Sequence, residues 1–147
     1  MKRRARHELY AWAQSLTNLP LIAGGDITGP AAVAANPALF APVCGLMLGR
    51  IAAVQPWIFA AWQRPVVIDH AEVWLRLFDY TCEDFKPAAA ICQMKIVSKY
   101  YARNFEFGHQ FHVAVQNAPT LAVMRKRAES FFAGAPAVNP EPSVMGL

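Results

Sequence analysis

Residues 69–85, DHAEVWLRLFDYTCEDF, decide the fold class. His70, Trp74, Leu77, Phe78, Thr81 and Phe85 recur at the three- and four-residue spacing of one helix face. Glu72, Arg76, Asp79 and Glu83 form a polar stripe opposite. Asp69 stands where an N-cap belongs, and Glu72 three residues later repeats the spacing of a capping box. Glu72 and Arg76 are also four apart, a favourable pair on a helix surface. The segment reads as an amphipathic helix.

Working outward, the longest helix is expected from Pro87 to about Gln116. Met94, Val97, Tyr101, Phe105, Gly108, His112 and Val115 share a stripe, and Ile96, Tyr100, Phe107 and Phe111 widen it. Lys99, Arg103, Glu106 and Gln110 make its wet face. Gly108 marks a point where it kinks or breaks. Asn117 is the expected N-cap of a last helix starting near Pro119, with Leu121, Met124, Ala128, Phe131 and Phe132 inside. On the other side, Val66-Val67-Ile68 reads as extended linker. The apolar stretch before it predicts one helix from about Ala38 to Gln55 and a shorter one through Trp62. Gly45 and Gly49 would allow a close helix contact there. A first helix is expected from about Arg4 to Leu16, with Leu9, Trp12, Ala13 and Leu16 inward. Gly24 to Pro30 has the chemistry of a loop, and a short helix from Pro30 follows. The fold class is therefore all-α: a small bundle of about five to six helices broken at prolines. One domain is expected over 1–134, with a disordered, Pro-containing tail at 135–147.

The chain has 147 residues, enough for one domain with its own core. Hydrophobic residues make up 55% and charged ones only 16%, so either the core is large or apolar surface meets a partner. The net charge of +4 is clustered at Lys2, Arg3 and Arg4, with Arg6 beside them, and at Arg125, Lys126 and Arg127. Such a basic patch suits solvent, nucleic acid or an anionic surface. Cys44, Cys82 and Cys92 are odd in number and form no CxxC, which predicts reduced, buried thiols and a cytoplasmic location. His7, Glu8 and Gln14 interrupt the N-terminal apolar pattern, so no signal peptide is expected. Arg50, Pro42 and Pro56 argue against a membrane span over Ala38–Trp62.

Motifs of chemistry are sparse. Glu106, His109 and His112 are the metal candidates, because a Glu and a His three apart on a helix can address one ion. A zinc site needs three or four convergent ligands, and the sequence supplies no clear set, so no cofactor is expected. Cys82 stands beside Glu83 and Asp84, which raise a thiol pKa, and no catalytic residue is assigned. The glycines at 24–29 lack the ending of a phosphate loop. Lys95, Lys99, Tyr100, Tyr101 and Arg103 interleave basic and aromatic residues, a mixture that can grip single-stranded nucleic acid. The aromatics Trp74, Phe78, Phe85, Tyr100, Tyr101, Phe105, Phe107 and Phe111 exceed what one core face needs, and aromatics are enriched at interface cores.

The resulting expectation is a non-enzymatic helical interaction module that binds a protein partner or itself through that aromatic face. The alternatives are a membrane- or granule-surface protein, a nucleic-acid-binding protein, and a metalloprotein using Glu106, His109 and His112. In outline, the amphipathic helices with a tail resemble phasins, which coat storage-polyester granules. The aromatic content and the prolines depart from that family, and no residues carry over.

Overall fold

The structure, a computed structural model, describes residues 5–143. It is broadly a helical bundle, with one short two-stranded parallel sheet among the described residues. The chain divides into two compact units. The described part of the first is 5–52 with 56–65, and the second is Ala53–Gln55 with Val66–Ser143.

The first unit opens with a single tight turn, His7–Leu9, and α1, Tyr10–Ser15. Strand β1, Ile22–Gly24, follows, then α2, Pro30–Ala34, and α3, Pro37–Phe40. Strand β2, Gly45–Met47, runs parallel to β1, pairing Ile22 with Gly45 and Gly24 with Met47. Helices α4, Arg50–Val54, and α5, Ile58–Gln63, complete this half of the sequence. The helix expected over Ala38–Gln55 is thus replaced by two short helices and a strand. Pro42 lacks the amide a helix needs, and Gly45 and Gly49 weaken helix further. Gly45 therefore serves a sheet, with Ile22 3.9 Å from where its Cβ would stand, and not a helix–helix contact. Gly25 and Asp26 both adopt positive φ, which ends β1 in a sharp turn. Ala23, Ile27 and Phe40 form the buried centre, with Tyr10, Val33, Leu46 and Trp62 packed round it. Helix α1 is turned so that Tyr10 points inward and its hydroxyl donates to Gly24 O at 2.9 Å. Trp12 and Leu16, expected inside, are exposed instead.

The second unit is built from α6, His70–Asp84, α7, Pro87–Tyr101, α8, Gly108–Gln116, and α9, Leu121–Ala133. Helix α6 packs on α7 and α9, and α8 packs on α7 and α9. Its cap is as expected: Asp69 Oδ1 accepts from Glu72 N at 2.9 Å, and Glu72 pairs with Arg76 at 3.6 Å. The long helix expected over Pro87–Gln116 is two helices. After Tyr101 the chain tightens into one turn, Ala102–Asn104, and restarts at Gly108. A Cβ at Gly108 would lie 1.7 Å from the Ala102 carbonyl oxygen, so only glycine lets the two segments approach. Helix α9 is capped by Thr120, whose hydroxyl accepts from Val123 N at 3.2 Å, and not by Asn117. Pro119 precedes that cap, because a residue before proline avoids helical geometry.

Trp74, Met94, Tyr101, Phe111, Val115 and Met124 are fully buried in this unit. The Trp74 indole N–H donates to Ser98 Oγ at 3.0 Å, which settles the one polar atom of the largest core side chain. Of the segment expected as a tail, 135–143 is laid along the break between α7 and α8. Glu106 N donates to Ala137 O at 3.0 Å, and Asn139 N donates to Asn104 O at 2.7 Å. These are backbone groups that the interrupted helix leaves without internal partners. Residues 144–147 lie outside the described residues.

Among the described residues no helix is long and apolar enough to cross a membrane. All three cysteines are exposed, contrary to the expectation of buried thiols. Cys82 lies towards the acidic side of α6, and Cys92 lies on the outer face of α7.

Candidate functional site

The aromatic residues singled out in the sequence divide sharply. Trp74, Phe78, Tyr101, Phe105 and Phe111 are buried inside the second unit. Trp74 stacks on Phe78 at 5.4 Å and meets Phe111 edge-on at 5.8 Å. Phe105 and Phe111 also contact Phe131 and Phe132 of α9 at 5.0 to 6.0 Å. Four helices share this cluster, so it absorbs aromatics that a single helix face would leave over. Tyr100 is half-buried, and Phe85 and Phe107 stand in solvent, Phe107 at 66% exposure.

The basic residues divide as well. Lys2, Arg3 and Arg4 lie outside the described residues. Arg125 donates to Asp79 and to Glu129 and lies 5.6 Å over the Phe78 ring. Two carboxylates thus compensate its charge. Lys126 and Arg127 are exposed, and Arg127 donates to Ala114 O at 3.0 Å.

A different set of cations comes together. Lys95, Lys99 and Arg103 are four residues apart, so they follow one ridge of α7 into the turn behind it. Among the described residues neither Lys95 nor Lys99 has a carboxylate within ion-pair distance. The break before Gly108 then folds the start of α8 back beside this ridge. Lys99, Arg103, Glu106, His109 and His112 line one open hollow of about 420 Å³, with Asn139 and Ser143 on its far wall. Arg103 Nη1 donates to Ser143 O at 2.7 Å. The His112 imidazole is held below its usual pKa by burial first, then by His109 and Lys99. Lys99 and Arg103 bring cationic side chains to the hollow, and among the described residues Glu106 is the carboxylate on its lining. The metal candidates Glu106, His109 and His112 share this wall, but among the described residues no group of three His, Cys, Asp or Glu is placed to hold an ion.

One buried polar group escaped the sequence reading. Asn104 is fully buried and donates through Nδ2 to Val54 O at 2.6 Å and to Tyr101 O at 3.0 Å. Among the described residues its Oδ1 has no hydrogen-bond partner. His70 lies beside Phe105 at 5.2 Å, and burial lowers its pKa, opposed in part by Asp69. The Tyr101 hydroxyl donates to His70 O at 2.8 Å, and burial pushes that phenol far up in pKa. A neutral phenol with a neutral imidazole makes a structural link here. Nothing in the periodicity distinguishes Asn104 from the wet-face residues around it.

In the first unit the turn after β1 carries an acidic group. Asp26 accepts from Ala5 N at 2.8 Å and from Arg50 Nη2 at 2.6 Å. The Ala5 bond chiefly, and Arg50 after it, hold its carboxyl below the usual range. Gly25, Asp26, Gly49 and Arg50 border a small crevice at the ends of the two strands. No local pattern signals this pair, because Asp26 and Arg50 are 24 positions apart.

No protein-family model matches this chain, and no curated protein matches it.

Proposed function

We propose that the second unit is a non-enzymatic binding module for a nucleic-acid strand, held by its phosphates along the Lys95–Lys99–Arg103 ridge and the hollow beside it. The observation that supports this reading is the convergence of Lys99, Arg103, His109 and His112 on one open surface, with Glu106 as the carboxylate among its described residues. Phosphate contacts are electrostatic and carry most non-specific affinity for nucleic acids. Phe107, exposed between two residues of the hollow, offers a face for a base to stack on. The reading places the protein in the cytoplasm with its ligand.

Fluorescence anisotropy with a labelled single-stranded oligonucleotide tests it. Binding at about 50 mM salt should weaken by orders of magnitude towards about 200 mM if several phosphates are engaged. Lys99→Gln should flatten that salt dependence by about one contact. Absence of binding at the lower salt, or affinity unchanged in a Lys99→Glu, Arg103→Glu double variant, would remove the reading.

A second reading keeps a protein partner or a second copy of the chain. It is favoured by Phe85, at the end of α6, and Phe107, before α8, both large and exposed. Sedimentation at micromolar concentration separates it, since a strictly monomeric protein leaves no place for the self-association form.

A further inference from the structure

We propose that residues 136–143 form a releasable strap that competes with the ligand for Arg103. This inference rests on the nucleic-acid reading above. The Ser143 carbonyl takes Arg103 Nη1 at 2.7 Å, occupying a donor that a phosphate oxygen would otherwise accept from. Asn139 and Ser143 form one wall of the hollow that holds Lys99, His109 and His112. The closed strap therefore narrows the hollow and neutralises part of its charge with a peptide dipole.

The strap is built to open at low cost. Its hydrogen bonds among the described residues include Ala137 O from Glu106 N, Asn139 N to Asn104 O, and the Arg103 bond, and Pro136 and Val138 share a shallow hollow with Phe105 and Phe132. Asn139 Nδ2 adds a long contact to Arg103 O at 3.4 Å. Among residues 135–143 only Pro142 is buried, and Val138 is 46% exposed. A segment whose residues are mostly exposed or half-buried opens locally before the fold does. Ala135 sits at φ +47° and its amide donates to Phe132 O at 2.9 Å, so this left-handed residue closes the end of α9 and the strap begins after it. Once it is open, water can satisfy Glu106 N, since Glu106 is exposed.

Asn139→Pro tests the strap, because it removes the amide that donates to Asn104 O and both side-chain contacts of Asn139. Release is read by hydrogen exchange over 136–143, and binding by anisotropy with the same labelled oligonucleotide. Faster exchange with affinity raised on the order of tenfold supports the proposal, since one charge-assisted contact is gained. The salt dependence should steepen by about one phosphate. Faster exchange with unchanged affinity, in a wild type that binds, overturns the strap and leaves the nucleic-acid reading standing. Failure of both wild type and variant to bind overturns both. If exchange over the strap does not change in Asn139→Pro, a chain ending at Gly134 decides by anisotropy alone: affinity raised on the order of tenfold supports the proposal, and unchanged or weaker affinity overturns it. Loss of its helical circular dichroism would show the segment to be part of the fold, and the proposal falls.

Discussion

Gly108 carries the sharpest constraint on any single residue. An added methyl group would meet the Ala102 carbonyl oxygen at 1.7 Å, and that oxygen is backbone that cannot rotate aside. Gly108→Ala is expected to cost about 3 kcal/mol or more, as overpacking against a fixed group does. The shift of the urea midpoint measures it, and a loss below about 1 kcal/mol would mean that the α7–α8 break is looser than described. Ser98 is the converse case, a small residue whose value lies in its oxygen. Ser98→Ala leaves the buried Trp74 indole N–H without its acceptor and should cost about 1–3 kcal/mol in the same measurement. Glycine at 108 was legible as a weak point in a helix, because glycine lowers helix propensity wherever it stands. Ser98 was not legible, since one serine among apolar neighbours looks the same whether it faces water or an indole.

At the scale of the element, α6 was readable in its cap, its ion pair and most of its inner stripe, because these are local, while Phe85 at its end is exposed. Asp69→Ala should lower stability by about 1 kcal/mol through the lost Glu72 amide bond. The paired strands were not readable. Each has three residues, too few for alternation to show, and their partnership is set by contacts more than 20 positions apart. The site lies between these extremes. The ridge of Lys95, Lys99 and Arg103 follows from spacing alone. The company of His109 and His112 depends on the turn at Ala102–Asn104, which only tertiary packing determines. That turn also sets a pH response. His70 and His112 both have folded-state pKa values depressed chiefly by burial. The unfolded chain takes up protons near pH 6.5 while the folded one resists them. The stability they confer is therefore present above about pH 6.5 and declines as the pH falls through it. Urea denaturation at pH 7.5 and 5.5 checks the sign, and His70→Gln should reduce the difference between the two.

For the whole molecule, the aromatic surplus that the composition announces is resolved by counting helices. One amphipathic helix needs few large rings, but four helices meeting at Phe105, Phe111, Phe131 and Phe132 need many. Much of the aromatic content is thus taken up by the core of the second unit, while the first unit leaves Trp12, Leu16, Leu19, Ile22, Met47 and Phe59 in solvent. Native-state hydrogen exchange should find its slowest amides near Met94, Tyr101, Phe111 and Val115, with faster exchange across the short elements of the first unit. Amides of β1 as slow as those of α7 would contradict this ranking. The exposed thiols have a practical consequence. Cys44, Cys82 and Cys92 each stand in solvent, so molecules that collide in aerated buffer can become linked through sulfur. A preparation left unreduced is expected to show dimers and larger species on a non-reducing gel that vanish with dithiothreitol. Apparent assembly states measured without a reductant would then record the storage time of the sample.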